Sequence, residues 1–77
     1  MHELALMEDL IVAIVERVGA MRVYGVWLEV GRAARVSTES LRVCFGVCAR
    51  GTVVENAVLN IVETDGTELR VEKVEVA

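Results

Sequence analysis

The sequence predicts an α+β domain in which two helices pack on one face of a three-stranded mixed β-sheet, in the chain order α-β-α-β-β. Three observations predict it: apolar residues at helical spacing near the N-terminus, a second helical stripe further on, and three segments that alternate with period two. The chain has 77 residues, of which 55% are hydrophobic and none is proline. This composition is typical of one packed unit, so residues 1–77 are assigned to a single domain.

The first helix is predicted over residues 3–18. Glu3 suits the positive end of a helix, and Gly19 stands where a left-handed residue would end it. The apolar residues expected on its core side are Leu4, Met7, Ile11, Ile14 and Val18, with Leu6, Leu10 and Ala13 beside them.

The first strand is predicted over residues 22–30, and Gly31 ends it. Alternation assigns Tyr24, Val26, Leu28 and Val30 to one face, and Val23, Gly25, Trp27 and Glu29 to the other. The second helix then begins after the N-cap residue Ser37, runs to about Ala49 and stops at Gly51. Its apolar stripe consists of Leu41, Cys44, Phe45 and Cys48.

The last two strands, over residues 56–63 and 68–76, are predicted to form an antiparallel hairpin. A three-residue loop with Gly66 left-handed would place Ile61 opposite Leu69 and Leu59 opposite Val71. The apolar phase of the last strand slips by one residue, which predicts a β-bulge near Glu72 and Lys73. The strand-helix-strand unit before the hairpin is predicted to be a parallel crossover.

Charge and hydropathy exclude several classes of function. The net charge is -4 and the basic residues are scattered, so neither nucleic acid nor an anionic membrane surface is an expected partner. The longest apolar run, residues 10–15, is shorter than the roughly 18 residues that span a bilayer. Glu3, Glu8 and Asp9 stand where a signal peptide would be basic, and a cytoplasmic location is therefore expected.

A homo-oligomer is also expected. The mean hydropathy of +0.50 is high for a lone domain of this size, which predicts that a partner covers apolar surface. The sheet face away from the helices should expose Trp27, Val23, Val58 and Val62. A hinge at residues 64–66 could also open, so that two chains exchange their terminal strands in a swapped dimer.

The first three residues carry the most informative chemistry. The amine of Met1, together with the backbone nitrogen and imidazole of His2, can close adjacent chelate rings around one metal, an arrangement suited to Ni(II) or Cu(II). Glu3 could add an oxygen ligand or an outer contact. From these residues alone, a solvated histidine at a frayed terminus is the more common interpretation.

The remaining candidates have structural explanations. Cys44 and Cys48 lack the spacing of a zinc knuckle or a redox turn and are expected to pack as small buried thiols. Arg50-Gly51-Thr52 is explained by a helix end rather than a phosphate loop. No nucleophile, base and orienting group can be assembled, so the chain is not expected to be an enzyme.

The order of these segments resembles the HypA family of nickel metallochaperones across essentially the whole chain. The residues that carry the resemblance are Met1-His2-Glu3-Leu4, Val26-Trp27-Leu28-Glu29-Val30-Gly31, the spaced Val36, Glu39, Leu41 and Phe45, Ala49-Arg50-Gly51-Thr52, then Glu55, Ala57, Leu59 and Ile61, and Gly66-Thr67-Glu68-Leu69-Arg70-Val71. The resemblance implies a nickel site at Met1, His2 and Glu3. It also implies action with a HypB-type GTPase, and delivery of Ni(II) to the hydrogenase large subunit or, in some organisms, to urease.

Three departures from the family pattern accompany the resemblance. Family members carry a zinc domain with two Cys-x-x-Cys pairs between the strands that here end at Val62 and begin at Glu68; only residues 63–67 stand there, so no zinc is expected. The first helix is about one turn short, and Ser37 replaces an acidic residue of some relatives. The alternative function is a structural, self-associating domain, or an engineered deletion form, without nickel delivery.

Overall fold

The computed structural model describes residues 2–77 and confirms the predicted fold class. The elements are α1 (Glu3–Val18), β1 (Val23–Gly31), α2 (Thr38–Cys48), β2 (Val58–Thr64) and β3 (Leu69–Val76). A short 3-10 helix, Arg32–Ala34, which the sequence did not predict, lies between β1 and α2.

The helix ends follow the sequence predictions. Ser37 caps α2, because its hydroxyl oxygen accepts a hydrogen bond from the backbone N–H of Ser40 at 3.1 Å. Gly19 follows α1 with a φ of 65°, and Gly51 follows α2 with a φ of 74°. Both glycines adopt the positive φ that side chains disfavour; Gly19 directly follows the last residue of α1, whereas Gly51 lies in the turn three residues after Cys48, where α2 ends.

One apolar core joins the helices to the sheet. Met7, Ile11 and Ile14 of α1 and Leu41 and Phe45 of α2 are buried, as their helical spacing predicts. Leu4 was predicted to face the core but is 45% exposed. It lies in the first turn of α1, whereas the α1 residues that line a cavity together with β3 begin at Leu10.

The sheet order is β2-β1-β3, and the predicted β2–β3 hairpin is wrong. The predicted parallel pairing of β1 with β2 is confirmed, but β3 pairs antiparallel with the other edge of β1. Ile61 therefore lies opposite Leu28 rather than Leu69, and Leu59 lies opposite Val26 rather than Val71. The apolar residues of β1 explain this order, because a strand with pairing partners on both sides is the most fully buried.

Contacts at the end of β1 direct the chain from β2 across to β3. The N–H of Gly31 donates to the carbonyl of Glu68 at 2.7 Å, and the N–H of Ala33 donates to the carbonyl of Gly66 at 2.9 Å. A side chain at Gly31 would collide with the Gly66 carbonyl, so the close approach requires glycine. Gly66 itself was predicted to be left-handed and is not among the described residues with positive φ.

The predicted bulge in β3 is confirmed. Trp27 pairs with Lys73 and Leu28 pairs with Val71, so Glu72 is the extra residue. Because of this extra residue, the apolar side chains on both sides of the bulge share the core face. Those packed against the core are Leu69, Val71 and Val74.

A second irregularity overturns one face assignment in β1. Val23 pairs with Val76 and Gly25 pairs with Glu75, so Tyr24 is an extra residue. Val23 is 1% exposed and belongs to the core, whereas Tyr24 is 57% exposed, the reverse of the predicted faces. The bulge shifts the alternation of faces by one residue, so that the hydroxyl group of Tyr24 can be solvated.

The sheet face away from the helices is otherwise as predicted. Val58 is 63% exposed and Val62 is 36% exposed. Trp27 is half-buried, and the Nζ atom of Lys73 lies 4.1 Å from the centre of its ring in a cation–π contact.

Candidate metal centre

His2 lies at the N-cap of α1 with its side chain exposed to solvent. Its backbone is extended, with φ of -93° and ψ of 95°, and its carbonyl accepts a hydrogen bond from the N–H of Leu6 at 3.2 Å. The imidazole makes no capping hydrogen bond to the helix. The one histidine of the sequence is thus exposed to solvent at the start of α1.

Glu3 is the first residue of α1 and is half-buried. Its carboxylate lies in the first helical turn, where a negative charge stabilises the positive end of the helix dipole. Of the three predicted metal-binding residues, His2 and Glu3 therefore adjoin at the start of α1. Met1 lies outside the described residues.

One thiol, that of Cys48, lies beside this end of α1. The Sγ atom of Cys48 donates a hydrogen bond of 3.9 Å to the carbonyl oxygen of Leu4, and Cys44 lies one turn earlier in α2. Burial, followed by the nearby charges of Glu8 and Cys44, raises the pKa of the Cys48 thiol above its ordinary value of 9.0. Cys48 is therefore a neutral thiol at physiological pH, a poor metal ligand compared with a thiolate.

Side chains elsewhere support the structural interpretations made from the sequence. The Thr52 hydroxyl donates to the Ala49 carbonyl at 2.8 Å and accepts from the N–H of Val54 at 3.0 Å, so Thr52 shapes the turn after α2. Within residues 2–77, no group of three or more His, Cys, Asp or Glu side chains is placed to hold a metal ion.

The hydropathy of the helices gives one further finding. Over the part of the chain that the structure describes, neither helix is both long enough and apolar enough to cross a membrane.

Comparison with known proteins decides the family. The sequence profile described as "Hydrogenase/urease nickel incorporation, metallochaperone, hypA" matches residues 1–69. This chain belongs to the HypA family.

Curated proteins named "Hydrogenase maturation factor HypA" are similar to this HypA-family chain. The relative from Geotalea daltonii is 44% identical over 61 residues, which are 79% of this chain and 56% of the relative. Those from Azotobacter chroococcum and Chlorobaculum tepidum are 44% and 42% identical over 69 residues, which are 86% of this chain and 61% of each relative. The matched part thus spans about three fifths of the length of these relatives.

Two features of this HypA-family chain escaped the sequence reasoning. The contact between Cys48 and Leu4 was missed because helix packing cannot be derived from the spacing within each helix. An open apolar groove of about 390 Å³ between α1 and β3 was missed because β3 was predicted to pair with β2. The apolar residues of β3 slip in phase by one residue. Comparing that pattern with the buried residues of β1 is the signal that could have indicated the β1–β3 pairing, and with it the groove.

Proposed function

We propose that this chain is the nickel-binding module of a metallochaperone, which holds Ni(II) at its N-terminus for maturation of NiFe hydrogenase, with urease as a second possible recipient. The observation that carries the proposal is the imidazole of His2, which is exposed, makes no capping hydrogen bond to α1, and adjoins Glu3 at the start of that helix. The family match supports it, because the matched residues begin at residue 1 and so include this segment.

The ligands on this proposal are nitrogens of the first two residues. The Met1 amine, the backbone nitrogen of His2 and the His2 imidazole close adjacent chelate rings in a planar arrangement that suits Ni(II). The His2 carbonyl already accepts the N–H of Leu6, while backbone N–H groups at a helix start have no acceptor within the helix. Ligation by the His2 nitrogen therefore costs α1 none of its hydrogen bonds.

Charge at the helix start bears on the same site. The positive end of a helix dipole opposes a divalent cation. A deprotonated backbone nitrogen and the Glu3 carboxylate both add negative charge at this point and offset that opposition. Glu3 thus serves as a charge partner or an oxygen ligand of the bound nickel.

A second part of the proposal is that this is a form of the family without the zinc domain, and that it holds no zinc. Residues 65–68 join β2 directly to β3, at the place where the resemblance puts that domain. The family match ends at residue 69, where β3 begins, and about two fifths of the length of the relatives lies outside the matched parts.

The partners follow from the resemblance and belong to the same proposal. A HypB-type GTPase assists the transfer, and the hydrogenase large subunit receives the nickel in the cytoplasm. The chain itself acts as a carrier rather than as an enzyme. This role agrees with the family description, which names a metallochaperone for nickel incorporation.

The test is a titration of Ni(II) into the untagged protein, followed by heat and by the visible absorbance of a planar nickel complex. We expect one nickel ion per chain, with binding lost in His2→Ala and weakened in Glu3→Gln. Asp9→Asn is the matched control, because Asp9 is an exposed carboxylate of the same helix, away from its first turn.

Two results would overturn the proposal. Undiminished binding by His2→Ala would place the metal elsewhere. Absence of binding by the folded protein with a free Met1 amine would leave the alternative, a structural and self-associating domain without nickel delivery.

A further inference from the structure

The outer edge of β3 presents backbone groups that no described strand pairs with. Two hydrogen bonds fix which groups face β1: the Glu68 carbonyl accepts from Gly31 at 2.7 Å, and the N–H of Ala77 donates to the Arg22 carbonyl at 3.1 Å. Along a strand, the N–H and C=O groups of successive residues point alternately to the two sides, and the extra residue at the bulge shifts this alternation by one. The residues whose N–H and C=O groups point away from β1 are therefore Leu69, Val71, Val74 and Val76.

The sequence of β3 is symmetric about its bulge. Apolar residues stand at equal distances on either side of the Glu72–Lys73 bond, and every charged residue has a mirrored residue of opposite charge. Two antiparallel copies of β3 centred there have four kinds of opposed pair, in which the second residue belongs to the second copy: Leu69 with Val76, Val71 with Val74, Arg70 with Glu75, and Glu72 with Lys73.

The bulge is what makes this register possible. In a regular strand Val71 and Val74 would point to opposite faces, and so could not be opposed across a two-fold axis normal to the sheet. The extra residue Glu72 puts both valines on the core face. Each opposed pair then meets on one face, apolar with apolar and acidic with basic.

The groove beside β3 gives this edge an apolar surface to cover. It has a volume of about 390 Å³ and is open to solvent. Its apolar lining comes from Leu10, Ala13, Ile14 and Val18 of α1 and from Leu69, Val71 and Val74 of β3. A strand added at the edge of β3 would continue the floor of the groove and bring its own apolar side chains against it.

We propose that two copies of this chain associate by antiparallel pairing of their β3 edges, about a two-fold axis at Glu72 and Lys73, to form one six-stranded sheet. The inference does not depend on nickel binding. The complementary charges select a second copy as the occupant, because the same eight residues supply both halves of every pair.

Contacts within the chain are compatible with this pairing. Arg70 already forms an ion pair with Glu29, and it would stand between Glu29 and Glu75 of the second copy. Lys73 lies over Trp27 by cation–π contact, and its exposed amine would reach Glu72 of the second copy from there. The N-terminal site lies at the other end of α1 from the groove residues and remains open.

The test uses sedimentation velocity of the whole chain over a range of concentrations, with charge reversal at the axis. Glu72→Lys gathers four lysines at the axis of its homodimer, and Lys73→Glu gathers four glutamates. We expect each variant alone to dimerise at least about tenfold more weakly than the wild-type chain at low salt. A mixture of the two variants should recover dimer, because each lysine then opposes a glutamate.

Glu63→Lys is the matched control, since it makes the same charge change at an exposed position on β2. Circular dichroism of each variant verifies that it is folded. A wild-type chain that stays at 8.4 kDa at all concentrations would overturn the proposal. So would a dimer that either reversal leaves unchanged, that the mixture fails to restore, or that Glu63→Lys weakens as much as Glu72→Lys does.

Discussion

The thiol of Cys48 donates a hydrogen bond of 3.9 Å to the carbonyl oxygen of Leu4, which joins the end of α2 to the first turn of α1. Leu4 follows directly after His2 and Glu3, the described part of the candidate nickel site. The packing of two core helices therefore determines where that site stands, although no core residue belongs to it.

The environment of Cys48 predicts that its thiol is alkylated slowly and only at raised pH. Burial and the Glu8 carboxylate raise the pKa of Cys48 above 9.0, so alkylation by iodoacetamide in a Cys44→Ser background should be slower at pH 8 than for the denatured chain. The midpoint of the rate against pH should lie higher for the native chain than for the denatured chain. Because the folded state holds this proton more tightly than the unfolded state, the group lowers stability as pH rises through and beyond 9.0.

Glu8→Gln should lower that midpoint, because it removes a negative charge that raises the pKa of the Cys48 thiol. Asp9→Asn is the control, since Asp9 is not among the causes of the shift. A Cys48 that reacts at the same rate in the native and denatured chains would show that the thiol is not in contact with α1.

Two glycines should respond in opposite directions to replacement by alanine. In Gly31→Ala the new methyl group meets the Gly66 carbonyl, and the backbone must shift, at a cost of about 1–3 kcal/mol. In Gly46→Ala the methyl group of an exposed α2 position meets nothing within 4 Å, and stability should rise by about 0.5–1 kcal/mol. Urea unfolding followed by Trp27 fluorescence measures both changes.

An unchanged or increased stability of Gly31→Ala would contradict the path from β2 to β3. The Gly46→Ala variant serves as the internal control, because the chemical change is the same and only the surroundings differ.

Blocking the N-terminus should abolish nickel binding without unfolding the chain. A tag residue ahead of Met1 turns its amine into an amide and removes a ligand, while leaving His2 and Glu3 in place. Binding to the unblocked chain should also weaken as pH falls, because protons compete with nickel for the amine and the imidazole. Calorimetric titration of blocked and unblocked protein at neutral and mildly acidic pH measures both effects, and equal affinity in all four cases would exclude the amine as a ligand.

The helices and their ends could be predicted because their signals are local. Ser37 caps α2 by accepting from the N–H of the residue three positions later, Gly19 directly follows α1, and Gly51 lies in the turn just after α2. The bulge at Glu72 was also predictable, because it leaves a phase slip in a single strand.

The pairing of β3 could not be predicted in the same way. Asp65-Gly66 is a good local signal for a tight turn. The side chains of β1 are mostly apolar, however, and pairing β1 on both sides buries them more fully than a β2–β3 hairpin would. The bulge at Tyr24 leaves no phase slip in the strand, because Val23 and Tyr24 are both acceptable on a core face.

The sequence predicted the candidate site as the chelating groups of Met1 and His2 with Glu3 beside them, without their surroundings. The exposure of His2 and its position at the N-cap of α1 are new from the structure. The contact of Cys48 with the carbonyl of Leu4, the residue after Glu3, depends on how α1 packs against α2, which the spacing within either helix does not reveal.

The connection over residues 65–68 links two strands that are not neighbours in the sheet. In a hairpin, a longer connection would separate residues that must pair, whereas here both ladders are made with β1 and depend on no turn geometry between β2 and β3. Each doubling of a flexible loop adds only about 0.6 kcal/mol of closure entropy. A folded unit with closely spaced ends could therefore be gained or lost at this connection during evolution with little change in the stability of the domain.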